Sequence, residues 1–428
     1  MAGTREERSL EHLASKLLRL PVTLFKLATE KIKTLSYSAK MAQSANMIVV
    51  SPAAVKHIRQ VLLEHKKNSQ AVSQAIPSLH AVELQMIDQI RRQTQRHNRN
   101  NVTRTQAYWH VYKNHSELHW ALLAHMVSRN GGWCMTDLKG DLLPQLLNTS
   151  QIESIFAFLE KANGLIFHDA YPQLLLYVES KRVNRSLFHL LPFLQVSAFM
   201  HPVWEHFWMH REPSVLTISL IINEQNYIEQ RIVQDPYYKK SVLGTITFLL
   251  QSLMQLNHVI FPYFTDSARE PRLAGLILED FNDLKERIEF GKKLYAILFG
   301  LHTVHQGIIA FAEKTPHTGS RMDYWPQLFA SIRKAPPELA FKERLTGCQL
   351  IKETEPLYSA MLKDAWSDRP LGSLEPGDWF DPKKPSQPLR HLASIQVPFL
   401  FDMTSEACLG LNKLELAILA GEPFSFSP

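Results

Sequence analysis

Apolar positions recur three or four residues apart through most of this chain, the spacing that gathers them on one face of a helix. The first stripe joins Leu10, Leu13, Leu17, Leu20, Leu24 and Leu27 and is interrupted at Pro21, where a helix kinks or divides. Ser150-Gln-Ile-Glu153 precedes the run IFAFLEKANGLIF and predicts a helix start through a reciprocal cap. Ser214 is placed to cap a helix through VLTISLIINEQNYIEQRIV, whose first eight residues are apolar on several sides and so predict burial over most of the surface. Those residues are β-branched enough for a strand, but the length and the later spacing of Tyr227, Ile228 and Ile232 favour a helix. Residues 187–200 read as a buried helix, too short and too polar to cross roughly 30 Å of hydrocarbon. Further helical tracts are predicted over 243–259, 273–312 and 409–419.

The last third changes character. Pro336, Pro337, Pro356, Pro370, Pro376, Pro382, Pro385 and Pro388 punctuate it, which predicts loops draped over a helical body. The expected fold is therefore all-α: a large irregular helical bundle with Pro-rich C-terminal loops. Four regions follow: an N-terminal amphipathic helical extension (1–87), a basic joint (88–105), a main helical body (106–335), and a Pro-rich wrapping region with a terminal helix (336–428). The joint carries Arg91, Arg92, Arg96, Arg99 and Arg104 and reads as a solvated linker. It has no recognisable binding module and no regular aromatic interleaving, which argues against nucleic acid as a partner.

Composition narrows the class. The 428 residues are 45% hydrophobic and 21% charged, values of a folded globular chain, and the net charge of +6 is mild for that length. Three widely spaced cysteines, Cys134, Cys348 and Cys408, suggest neither a disulfide framework nor a metal knuckle, so a reducing cytoplasm is the expected compartment. Residues 1–40 hold eight Lys and Arg against four Glu on the leucine stripe. Docking on the body or a partner helix is one expectation for it, and peripheral contact with an anionic membrane surface is another.

Candidate chemistry centres on HMVSRNGGWCMTDLKGD, residues 125–141. Gly131 and Gly132 read as the end of a helix, with Trp133 packing back and Thr136 or Asp137 starting the next one. That leaves Arg129, Asn130, Asp137 and Lys139 gathered around one turn, a candidate ligand pocket. Asn223 and Glu224 interrupt the buried helix downstream, and a buried carboxylate needs a partner, for which Arg129 is the expectation. A second-rank loop, HTGSRMDYWP, offers His317, Arg321 and Asp323.

Three histidine pairs, His115/His119, His206/His210 and His302/His305, have helical spacing. No HExxH and no paired ExxH motif accompanies them, so no metal site is assigned. Gly-rich phosphate loops and a GxSxG elbow are also missing from the sequence, and the cofactor stays open. Cys134, between Trp133 and Met135, reads as an inert buried thiol.

The segments WALLAHMVSRNGGWCMTDLKGDLL, DAYPQLLLYVESK, LIINEQNYIE and HTGSRMDYWP together resemble the YppC-like proteins of spore-forming Gram-positive bacteria, a family of unknown function. The resemblance covers about residues 90 to 380 and implies a bacterial intracellular protein. It transfers no reaction, ligand or catalytic residue. Three readings result: a helical binding or scaffold protein whose polar pocket takes a small molecule or protein partner, a hydrolytic enzyme using Glu224 or a histidine as general base, and a peripheral membrane protein acting through residues 1–40.

Overall fold

A computed structural model describes residues 32, 34–71, 79–244, 256–265, 270–333, 341–372, 374 and 376–420. The leucine stripe at 10–27, and with it most of the candidate membrane segment, lies outside them.

The chain is mainly helical. Its long helices are α1 (Pro52–Ala71), α2 (Ala81–His97), α3 (Asn101–Asn114), α4 (His119–Asp137), α5 (Thr149–Val183), α6 (Met200–His210), α7 (Pro213–Ile228), α8 (Leu284–Gly300), α9 (His302–Lys314) and α10 (Thr404–Leu419). The helix foreseen from a cap at Ser150 starts two residues earlier. Asn148 accepts from the Gln151 backbone N–H at 2.9 Å, and Gln151 returns the bond at 2.8 Å, so the reciprocal cap exists with different members. Ser214 does not cap α7; its hydroxyl donates to Val49 O at 2.6 Å and pins the helix start to the segment before α1.

The apolar run beginning α7 buries Val215, Leu216, Ile218, Leu220, Ile221 and Ile222 almost completely, because α5, α6, α8 and α4 pack around it. Residues 188–194 form a short 3-10 helix with Pro192 inside rather than the start of one longer helix.

Two predicted helical tracts contain strands. His258–Tyr263 (β1) pairs antiparallel with Arg272–Ile277 (β2), and α8 begins only at Leu284, so the tracts at 243–259 and 273–312 are each wrong in part. β1 finds its hydrogen bonds in β2 and in a side chain of α4, partners that no local pattern announces.

The basic joint is not a solvated linker. Arg104 is fully buried, donating to Glu160 Oε2 at 2.5 Å and to Asn98 Oδ1 at 3.1 Å, while Arg91 reaches Phe193 O at 2.6 Å. These contacts weld α2 and α3 to α5 and to the 3-10 helix.

The cysteine expectation also fails. Cys348 and Cys408 form a disulfide with a Cα–Cα distance of 5.3 Å, although 60 residues separate them. α10 packs against the turn around Gly347, where Glu415 accepts from the backbone N–H groups of Arg344 and Leu345 and Asn412 bonds Gly347. That docking brings two distant thiols into bonding range. Cys134 is free and buried. Among the described residues no single helix is long and apolar enough to cross a membrane.

Candidate functional site

α4 is the element on which the site depends, and it contradicts its own sequence signals. The helix runs without a break through Gly131 and Gly132. The glycines serve close approach: a Cβ on Gly132 would stand 2.4 Å from Asn101 Oδ1 and 2.6 Å from His317 Nε2. Tertiary packing on both sides of α4 supplies what the weak helix propensity of two glycines lacks.

A helix turns about 100° per residue, so neighbours in sequence diverge in space. Val127, Ser128, Gly131 and Cys134 face one way, into a cavity of about 220 Å³ between α4, α5, α7, α8 and the β1–β2 hairpin. Arg129 and Trp133 face the other way, toward the loop after α9. The expected quartet therefore does not assemble around one pocket.

Arg129 is buried, donates to Thr315 O at 2.8 Å, and sits 3.9 Å from Asp323 and over the Phe311 ring. Burial draws its pKa down to about 10, against the pull of Asp323. Asp137 is held by Arg321, whose Nε lies 2.8 and 2.9 Å from the two carboxylate oxygens. Lys139 lies nearer the surface, 3.6 Å from Glu153 and over the Trp366 ring.

The second-rank loop belongs to this same buried network. Asp323 Oδ2 accepts from Trp133 Nε1 at 3.2 Å and from Thr318 N at 3.0 Å, and lies 3.3 Å from His317 Nδ1. His317 Nε2 meets Asn101 Oδ1 at 2.8 Å. Burial acts to raise the Asp323 carboxyl, but His317, Arg129 and Thr318 together hold it below 3.8. Most donors here are matched by acceptors inside the protein, Arg129 Nε being left over, the pattern of a structural lock.

Asn130 and Glu224 do share the cavity lining. Asn130 braces the hairpin, donating to His258 O at 2.9 Å and accepting from Ile260 N at 3.1 Å. Glu224 is the chemically distinctive group. Trp120 Nε1 donates to its Oε2 at 3.1 Å and Gln225 Nε2 to its Oε1 at 3.3 Å.

Gln225 is itself oriented by Arg287, whose Nε donates to Gln225 Oε1 at 3.0 Å and whose remaining nitrogens are taken by Phe281 O and Glu229. Arg129 is thus not the partner of Glu224, and no Lys, Arg or His among the described residues forms an ion pair with it. Burial lifts its carboxyl to about 8, overcoming the two donors, with the nearby Asp169 adding to the rise. Glu224 is thus mostly a neutral acid at pH 7.

Asn223 points to the opposite side, into a second buried network. It donates to Asp169 Oδ2, Gln173 Nε2 donates to the same oxygen at 3.1 Å, and Trp379 Nε1 donates to Asn223 Oδ1 at 2.9 Å. Burial raises Asp169 to about 7, against the bonds from Asn223 and Gln173.

The histidine pairs are split between packing and surface: His119 stacks on Phe299 with ring centroids 3.9 Å apart and bonds Tyr295 at 2.9 Å, whereas His210 and His302 are exposed. Among the described residues no group of three or more His, Cys, Asp or Glu is arranged to hold a metal ion. Sequence reasoning missed Trp120, Arg287 and Asp169. Gln225 carried a signal, as part of the polar interruption of a buried helix.

The fold and site together define a mainly helical protein with a partly buried carboxyl at the wall of a cavity between its helices. Residues 96–387 match the family described as "Protein of unknown function (DUF2515)", and the chain belongs to that family. It is similar to the "Uncharacterized protein YppC" of Bacillus subtilis (strain 168), with 43% identity over 251 residues, 59% of this chain and 77% of the relative. No solved structure matches.

Proposed function

We propose that the chain is a binding protein for a small, largely apolar molecule held between α4, α5, α7 and α8. The observation that carries this reading is the carboxyl of Glu224 at the wall of an otherwise mainly apolar cavity. Tyr108, Trp120, Phe158, Phe281 and Phe290 supply its aromatic surface. At about 220 Å³ it exceeds the roughly 150 Å³ apolar cavity that accommodates benzene in an engineered protein. An apolar enclosure with a few convergent polar groups is the usual form of a small-molecule site.

In this reading Asn130 and Asn163 add polar contacts beside Glu224, whereas Arg129, Asp137, Lys139, His317, Arg321 and Asp323 keep α4 in place. The proposed wrapping region, 336–428, then braces the site from outside, as the Trp379 bond to Asn223 suggests. Thermal-shift screening tests the reading. Small ring compounds should raise the Tm of the intact protein by mass action and do so less in V127F, whose larger side chain narrows the cavity that Val127 lines. Equal shifts in both proteins would overturn it.

A second reading is favoured by the lifted Glu224 carboxyl alone. A pKa of about 8 suits an acid or base working near neutral pH, so hydrolytic catalysis through Glu224 is the alternative. Turnover of a bound compound that is lost in E224Q would select it.

A further inference from the structure

We infer that the cavity's ligand is an organic amine, a protonated nitrogen on a body about the size of one ring. This rests on the binding reading above and names the chemistry of the same site. A carboxyl inside a protein is ordinarily matched by a cation, as Asp137 is by Arg321 and Glu160 is by Arg104. Glu224 is the exception on the cavity wall. The guanidinium that lines the same cavity, Arg287, directs its hydrogen bonds to Gln225, Phe281 O and Glu229 and orients the amide that touches Glu224 without pairing with the carboxyl.

Both carboxyl oxygens receive one neutral N–H donor, from Trp120 and Gln225, and carboxylate oxygens have lone pairs for further donors. The ring surface around it suits a cation as well as an apolar body. Trp120 is at once a Glu224 donor and a cavity-lining aromatic, packed edge-on against Tyr108 at 5.4 Å. Aromatic faces attract ammonium groups most strongly where water is excluded. An ammonium here would replace the missing internal cation and meet an aromatic wall, whereas a neutral or anionic head would leave the carboxyl as it is or repel it.

The proton balance provides the test. Glu224 is largely protonated at pH 7, and an ammonium ligand holds its own proton. Forming the pair therefore expels the Glu224 proton to solvent, close to one per ligand bound, with no bond made or broken otherwise. Affinity should rise about tenfold per pH unit from pH 6 toward pH 7.5 and level off above about 8.

The experiment is isothermal titration of the full chain with phenethylamine and with its neutral counterpart 2-phenylethanol, in buffers of different ionisation enthalpy at pH 6, 7 and 8. The expected result is amine binding with release of nearly one proton at pH 6 and 7 and about half a proton at pH 8, and the stated pH dependence, with weaker, pH-independent binding of the alcohol. E224Q should lose the proton release and most of the amine affinity while still binding the alcohol, which shows that its cavity is folded.

Amine binding without proton release, or unchanged in E224Q, overturns the amine assignment. Binding of the alcohol with no binding of the amine overturns it too, and leaves the apolar pocket standing. Binding of neither compound overturns the pocket reading together with it.

Discussion

Trp120 donates its indole N–H to Glu224 Oε2 over 3.1 Å, joining the start of α4 to the end of α7 across 104 residues of sequence. The bond shows how the site is made. A helix buried over most of its surface must place the polar residues of its later turns against something, and here the something is a tryptophan donor and a cavity.

Stability should respond to pH through this carboxyl. Its folded pKa, about 8, is raised above the ordinary 4.5, so the folded state holds a proton that the unfolded state has released between those values. The contribution is fully present below about pH 4.5, falls as pH rises, and is gone above about pH 8. Asp169, raised to about 7, acts in the same direction. E224Q, which cannot ionise, should be more stable than the parent at pH 8.5 by a few kcal/mol, roughly 1.4 kcal/mol per pH unit of displacement, and nearly equal to it at pH 5. Urea unfolding at the two pH values checks this, and an equal difference at both contradicts it.

The two glycines of α4 should behave differently. G132A drives a methyl group into the Asn101–His317 bond and should destabilise by about 1–3 kcal/mol. G131A meets only the Asn163 side chain, at 3.3 Å, and gains roughly 0.5–1 kcal/mol of helix propensity, so it should be nearly neutral. Melting temperatures of the two variants, side by side, decide the matter.

The same pair marks the limit of what the chain reveals locally. α7 was legible because six apolar residues among the eight from 215 to 222 lie on several sides of a helix and so favour burial, and Asn223 and Glu224 stood out as the polar break after them. The path of α4 was not, because consecutive glycines ordinarily end helices, and what keeps this one going is Asn101, His317 and Asn163 from elsewhere. Partners were hardest to read. Arg129 was a reasonable mate for Glu224 by charge, but its phase on α4 turns it toward Thr315 and Asp323, with Asn130 turned to the hairpin instead. The mainly helical class was visible from periodicity. The β1–β2 hairpin and the disulfide were not, since both depend on contacts between distant segments.

The Arg129–Asp323 pair should be a stability determinant, not a binding one. Both side chains are buried, so D323N removes the carboxylate beside a cation that has no access to water. The expected loss is about 3–5 kcal/mol, seen in chemical denaturation, with ligand binding by the surviving folded fraction unchanged. A loss below about 1 kcal/mol would mean the pair is solvated.

Thiol counting tests the fold near the C-terminus. Denatured but unreduced protein should show one reactive thiol, Cys134, and reduced protein three. C348S should lower stability by about 4 kcal/mol on the loop-entropy estimate for 60 residues. Three thiols before reduction would show that the pairing does not form.

The measurement closest to the central claim is the titration of Glu224 itself, followed by carbon-13 NMR of protein labelled at the glutamate carboxyl carbon, the signal assigned by its loss in E224Q. The account predicts a midpoint near 8, moving downward when phenethylamine is added. A midpoint near 4.5, unmoved by the amine, would mean an ordinary solvated carboxylate and no enclosed site.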